Sequence, residues 1–184
     1  MNPHVERLAQ HFPPLAAPER KNWHEVESAL GAELPADYKQ LVDTFGGGVF
    51  DNAVWVLEPG CANKYYDLLI ENRGRREELE ASGSHPEELE EEGSDVIAWA
   101  LTENGQTLYW LVRPGQAPDS WLVMIHEGRG PAWERYPTSC AAFLESLLVT
   151  GEAESAFFHG LPADSHEFRA TGHAELSGSA GGTA

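Results

Sequence analysis

The sequence predicts an α+β fold in which helices pack against a twisted, mainly antiparallel sheet. Three observations lead to this prediction. Apolar residues recur at helical spacing in the first third of the chain and again near residue 145, and short β-rich runs with tight turns lie between them. Because parallel strands need long crossover connections, the short links between these runs favour antiparallel pairing.

The first third predicts two short amphipathic helices. One lies within residues 18–30 and ends at Gly31, a residue type that commonly terminates helices. Its apolar face contains Trp23, Val26 and Leu30. The other begins at Pro35, because proline suits the first helical position. Its apolar face contains Tyr38, Leu41, Val42 and Phe45, and the glycines Gly46, Gly47 and Gly48 end it.

The middle of the chain predicts strands. A first strand is expected within residues 49–57, followed by a helix that includes Tyr65, Leu68 and Leu69. Further strands are expected at residues 96–101, 107–112, 121–126 and 133–136. The dipeptide Asn104-Gly105 separates the first two of these, and it is the pair most typical of a tight hairpin.

A last helix is predicted after Thr138 or Ser139, either of which can cap it, and Gly151 follows its end. Its apolar face contains Phe143, Leu144, Leu147 and Leu148. We expect residues 1–162 to form one domain with an acidic insert around 77–95. Residues 163–184 are rich in Ser, Gly, Ala and Thr, which predicts a disordered tail.

The charge indicates what kind of partner the chain prefers. Thirty acidic residues against twelve lysines and arginines give a net charge of −18. Nucleic acid and anionic membranes are therefore disfavoured, and a basic protein partner is favoured. A charge that only maintains solubility is the alternative.

The acidic insert concentrates much of this charge. Its acidic residues are Glu77, Glu78, Glu80, Glu87, Glu88, Glu90, Glu91, Glu92 and Asp95. Ser84 and Glu87 have the spacing of a capping box, so a short helix is expected there. A solvated face or a mobile loop is the alternative.

Sequence patterns for catalysis or metal binding are not found. Gly46-Gly47-Gly48 lacks the Gly-Lys-Ser/Thr of a phosphate loop, and no Gly-x-Ser-x-Gly or His-Glu-x-x-His occurs. We therefore expect no catalytic residue, metal or cofactor. Cys61 and Cys140 are expected to be reduced thiols, with a disulfide as the alternative. The start of the chain has no secretory pattern, so a cytoplasmic location is expected.

Three segments at the start of the chain resemble the amino-terminal signature of the SMI1/KNR4 (SUKH) superfamily. These are Trp23-His-Glu-Val-Glu-Ser-Ala-Leu30-Gly31, Leu34-Pro35-Ala-Asp37-Tyr38 and Phe45-Gly46-Gly47-Gly48. Later segments are similar to actinobacterial members of the family. These are Glu103-Asn104-Gly105, Leu108-Tyr109-Trp110, Asp119-Ser-Trp121 and Trp133-Glu-Arg-Tyr136. The resemblance covers about residues 18–160, and the acidic insert and the tail depart from it.

The resemblance implies a SUKH-like fold without a catalytic site or cofactor. It also implies that the shared residues are structural: Trp23, Leu34, Pro35, Tyr38, Gly46, Gly47, Gly48, Asn104, Gly105, Trp110 and Trp121. Bacterial members are commonly immunity proteins that neutralise polymorphic toxins, which are often nucleases. Fungal members are regulatory scaffolds, so a scaffold with no toxin partner is the alternative function.

The charge then suggests how neutralisation would work. A nuclease binds phosphates through a basic groove, which an acidic protein can occupy so that the active site is blocked. The predicted contacts are Glu87, Glu88, Glu90, Glu91 and Glu92, with Trp133 as an apolar anchor. Trp133 is chosen because it lies between a Gly/Pro turn and charged residues, where partial exposure is expected. We expect the protein to act as a monomer.

Overall fold

Six α-helices and one seven-stranded sheet form residues 1–171, the part of the chain that the computed structural model describes. The helices are α1 (Pro3–His11), α2 (Trp23–Leu30), α3 (Ala36–Phe45), α4 (Leu68–Asn72), α5 (Arg75–Ser82) and α6 (Cys140–Glu145). The strands are β1 (Gly48–Phe50), β2 (Val54–Val56), β3 (Asp95–Thr102), β4 (Thr107–Val112), β5 (Val123–His126), β6 (Trp133–Tyr136) and β7 (Phe168–Ala170).

The sheet is antiparallel throughout, with the strand order β6-β5-β4-β3-β2-β1-β7. Strands β1 to β6 are neighbours in chain order. The links within β1–β2 and from β3 to β6 are short, as antiparallel pairing allows, whereas α4 and α5 lie in the long link between β2 and β3. Only β7 returns from a distance, after α6, to pair with β1. The α+β prediction with a mainly antiparallel sheet is therefore confirmed.

One face of the sheet, called here the helical face, packs against α1, α3 and α6. Strand side chains alternate between the two faces, so Trp110 points to the helical face and Tyr109 to the opposite one. The ring of Tyr38 in α3 meets Trp110 edge-on, with 4.9 Å between centroids. Tyr136 of β6 similarly packs on Phe143 of α6. These aromatic contacts fix the helices on the sheet.

The Leu34-Pro35 signature joins α3 to its neighbours. Pro35 lies just before α3 instead of at the first helical position that the sequence predicted. The Tyr38 hydroxyl donates to the carbonyl of Leu57 at 2.6 Å. The buried carboxylate of Asp37 accepts hydrogen bonds from the Ala141 backbone N–H at 2.9 Å and from the Cys140 thiol at 3.3 Å. Asp37 therefore ties α3 to the first turn of α6.

The glycine triplet after α3 allows a close approach of chain segments. Gly46 ends α3 with φ +72°, a conformation that favours glycine. A Cβ at Gly48 would overlap the Arg169 carbonyl oxygen and the Phe168 ring of β7. A Cβ at Gly47 would overlap the side chain of Glu58. The triplet thus leaves room for β7 at the edge of the sheet.

Several boundaries differ from the sequence prediction. Helix α1 was missed, although Asn2 caps it with its side chain. The single strand expected at residues 49–57 is a hairpin, since Asp51 and Asn52 form its turn with φ 49° and 54°. Asn tolerates this left-handed conformation better than most residues.

The tail predicted at 163–184 begins too early. Phe168–Ala170 is strand β7, and Phe168 packs on Phe45 and Phe50. Phe168 makes two aromatic contacts, and the edge of β1 offers backbone groups for pairing. These interactions stabilise a strand in a stretch whose composition is polar. Residues 172–184 lie outside the described part of the chain, so the rest of this prediction stays untested.

Cys61 and Cys140 are both free thiols. Within residues 1–171, no helix combines the length and the apolar character that a bilayer span requires.

Replacing Asp37 by alanine is expected to lower the free energy of unfolding by about 2 kcal/mol, because a buried N–H at the start of α6 loses its acceptor. Urea denaturation followed by circular dichroism measures the change. Asp164→Ala serves as the control, since Asp164 is exposed. Equal stability of both variants would contradict the anchoring role of Asp37.

Candidate partner-binding surface

Residues 77–95, called here the acidic segment, cover part of the sheet face opposite the helical face. Helix α5 begins two residues before the segment, between Gly74 and Gly83, which both have positive φ. Arg76 pairs with Glu80 one turn further along α5, and Arg75 pairs with Glu71 of α4, which links the two helices. The helix expected to start at Ser84 is instead a single 3-10 turn at Glu87–Glu90, without a side-chain cap.

Asn72, the last residue of α4, fixes where the segment starts. Its side-chain amide donates to the Ala98 carbonyl at 2.9 Å and accepts from the Ala98 N–H at 2.8 Å. These two bonds pair the backbone N–H and carbonyl of Ala98, which lies next to the β-bulge of β3 at a point where β2 no longer pairs with β3. The chain therefore leaves α4 at a defined point of the sheet and enters α5 over the opposite face.

Three apolar residues hold the acidic segment on the sheet. Leu79, Pro86 and Leu89 are buried although their neighbours in sequence are polar. The indole N–H of Trp133 donates to the carbonyl of Ser84 at 2.8 Å. The Trp133 ring also contacts His126, at 4.6 Å between centroids. The segment is thus a layer of chain packed against the sheet.

Two arginines, Arg135 of β6 and Arg113 directly after β4, pair with carboxylates of the segment. Arg135 binds both carboxylate oxygens of Glu88, with Nη2 and Oε2 2.8 Å apart. Arg113 Nε lies 3.3 Å from Glu91 Oε2. Trp133 and Arg135 are two residues apart on β6, so both side chains point to the same face of the sheet. The hydrogen bond from Arg135 lowers the pKa of Glu88 below its ordinary value.

The predicted partner contacts therefore differ in their availability. Glu87, Glu90 and Glu92 are exposed, and the structure shows no ion pair for them within residues 1–171. Glu91 is exposed while paired with Arg113. The Glu88 side chain is only 9% exposed, so most of its carboxylate is not accessible to a partner. Trp133 is half-buried and holds the segment through Ser84.

Among the signature residues, Trp23, Trp110 and Trp121 lie away from this surface, whereas Gly105 lines a cavity beside it. Trp23 donates its indole N–H to Asp43 at 3.1 Å, and Asn104-Gly105 forms the β3–β4 turn. Trp110 and Trp121 are buried next to each other on the helical face. Sequence reasoning did not find Arg113 and Arg135, because their partners are 22 and 47 residues away. The only signal in the sequence was that Arg135 lies two residues after Trp133, which places both side chains on the same face of a strand.

Metal-binding residues do not converge in the described chain. Among residues 1–171, no group of three or more His, Cys, Asp or Glu side chains is placed to hold an ion. The burial of Cys140 raises the pKa of its thiol well above the ordinary value, and Asp37 adds to this effect. Its thiol is therefore held in the neutral form, which is a poor nucleophile.

The architecture defines an α+β domain with helices on one sheet face and an acidic layer on the other. The family model SUKH_6, described as SMI1-KNR4 cell-wall, matches residues 20–144. Since this is more than half of the chain, the protein belongs to the SMI1/KNR4 (SUKH) superfamily. Searches of curated proteins and of solved structures each gave no match. Membership implies a function in protein–protein interaction in general.

The Glu88–Arg135 pair is expected to make stability depend on pH. A carboxyl with a lowered pKa in the folded protein stabilises it above the unfolded pKa, near 4.5, and this stabilisation is lost as the pH falls through the folded pKa. At pH 7, Glu88→Gln should therefore lower the free energy of unfolding by about 1 kcal/mol. The difference from the wild type should shrink as the pH is lowered below 4.5.

Urea titrations at several pH values test this prediction. Glu92→Gln is the matched control, because Glu92 is exposed. A difference between the wild type and Glu88→Gln that stays constant from neutral to acidic pH would show that the ion pair contributes no stability.

Proposed function

We propose that this protein is a non-catalytic immunity protein that neutralises a cognate toxin domain by direct binding. The observation that carries the proposal is the acidic segment packed on the sheet face opposite the helical face. Its carboxylates belong to a packed layer held by Leu79, Leu89 and two arginine pairs. A surface whose charges are held in place before binding loses less conformational entropy when a partner docks.

The partner is proposed to be basic. The net charge of −18 attracts cationic surfaces and speeds their encounter. The exposed carboxylates of Glu87, Glu90, Glu91 and Glu92 face solvent together within six residues of chain. Like charges this close repel one another, and a cationic partner relieves that repulsion.

A nuclease would fit this surface best. Nucleases bind phosphates through lysines and arginines in a groove, and carboxylates can occupy the same groove. Binding there would block access of the substrate to the active site. In this proposal Glu88 and Trp133 act indirectly, because they hold the segment in position through Arg135 and Ser84.

The first experiment is an affinity purification of partners from the source cells, with the tagged full-length chain as bait. One dominant partner with a toxin-like C-terminal domain is expected. Coexpression with that domain should protect the cells from it. Recovery of the toxin without any protection would contradict neutralisation.

Charge removal on the segment then tests the surface. The triple variant Glu87→Gln, Glu90→Gln and Glu92→Gln should weaken partner binding at low salt by at least tenfold, mainly through slower association. The difference should become smaller at high salt, where exposed charges are screened. Surface plasmon resonance at two salt concentrations measures both effects.

The matched control changes the same number of exposed carboxylates elsewhere, at Glu6, Glu19 and Glu33. An equal loss of affinity in both triple variants would mean that only net charge matters. Unchanged affinity in the segment variant would place the partner on another surface.

A regulatory scaffold is the second candidate, because the matching family is described as cell-wall. A scaffold should recover several partners from the cell envelope or from signalling, each bound weakly. It should give no protection against any toxin. The same affinity purification separates the two functions.

A further inference from the structure

A concave site lies on the same sheet face as the acidic segment, between α5 and the turns after β3 and β5. Its volume is about 390 Å³, within the range of small-molecule pockets. Three strand residues form its floor: Thr107, Tyr109 and His126. Arg75 of α5 and Arg129 of the β5–β6 turn lie on its walls.

The floor is polar where a sheet face covered by other elements is usually apolar. Thr107, Tyr109 and His126 are at most 7% exposed. Thr107 and His126 are cross-strand partners, so their side chains lie next to each other. Buried polar side chains are costly unless they have hydrogen-bonding partners. His126 has such a partner in the Gly130 carbonyl, and together the three side chains give the cavity a polar floor that suits a polar ligand.

The cationic groups on the walls indicate the charge of that ligand. Arg75 donates to Glu71 at 2.6 Å, which offsets much of its charge. Arg129 is exposed, and no ion pair is found for it within residues 1–171. Glu78, the one acid on the wall, lies 4.0 Å from Arg75 and is 70% exposed. One arginine charge thus stays uncompensated at the mouth of the cavity.

His126 lines the same cavity as a neutral imidazole. Its Nε2 lies 2.8 Å from the Gly130 carbonyl oxygen, so Nε2 carries the proton and donates. Burial lowers the pKa of His126, which keeps the imidazole neutral and leaves Nδ1 as an acceptor. The cavity therefore offers the hydroxyl groups of Thr107 and Tyr109 and the guanidinium group of Arg129.

We propose that this cavity binds a small molecule through an oxyanion group, either a phosphate or a carboxylate. Arg129 and the hydroxyls of Thr107 and Tyr109 would donate to the oxyanion. Charge-assisted hydrogen bonds of this kind are the strong ones in proteins, and arginine suits both anions. The site is separate from Glu87, Glu90 and Glu92, so it does not depend on the proposed toxin contact.

The test uses the isotopically labelled full-length chain and two probes, inorganic phosphate and citrate, in separate titrations at constant ionic strength. Two-dimensional NMR should show saturable shifts at the backbone amides of Gly105, Thr107 and Gly128. Arg129→Gln and Tyr109→Phe should each weaken binding of whichever probe the wild type binds by about tenfold. Tyr109→Phe removes only the hydroxyl, so the floor keeps its shape.

Arg20→Gln is the charge-matched control, because Arg20 is exposed and does not line the cavity. It should bind the probe as the wild type does. Saturation by phosphate alone would assign a phosphorylated ligand, and saturation by citrate alone a carboxylate. The proposal is overturned if neither probe gives saturable shifts, or if Arg129→Gln and Arg20→Gln bind equally well.

Discussion

A sheet of seven strands has two faces, and the helices α1, α3 and α6 can cover only one of them. The opposite face carries Tyr109, Met124 and Trp133, which are costly to leave in water. The acidic segment covers much of this face, and Leu79 and Leu89 are the apolar groups that allow it to do so. The need to cover the second face explains why a strongly acidic stretch of chain is ordered.

This packing decides where the negative charge can act. Glu88 and Glu91 pair with arginines that rise from the sheet, while Glu87, Glu90 and Glu92 point outward. Glu88 and Glu91 hold the segment, while the exposed carboxylates, Glu91 among them, remain accessible. The same layer of chain thus combines a structural role with the surface proposed for binding.

The opposite face is not covered completely, and the gap is the polar cavity beside α5. Both proposed sites therefore arise from one element laid over one sheet face. They differ in chemistry, since the outer surface attracts cations and the cavity presents Arg129 to anions. A single chain of net charge −18 can offer both because folding places Arg129 at the cavity, which none of the exposed carboxylates of residues 87–92 lines.

The sequence by itself determined the fold class, strands β3 to β6 and the last helix, because these depend on local periodicity and turn residues such as Asn104-Gly105. It also carried the family signature. Only the tertiary structure decided that Glu88 is largely buried, that Arg135 pairs with it and that β7 pairs with β1. Each of these depends on contacts between residues far apart in the chain, and local patterns do not encode such distances.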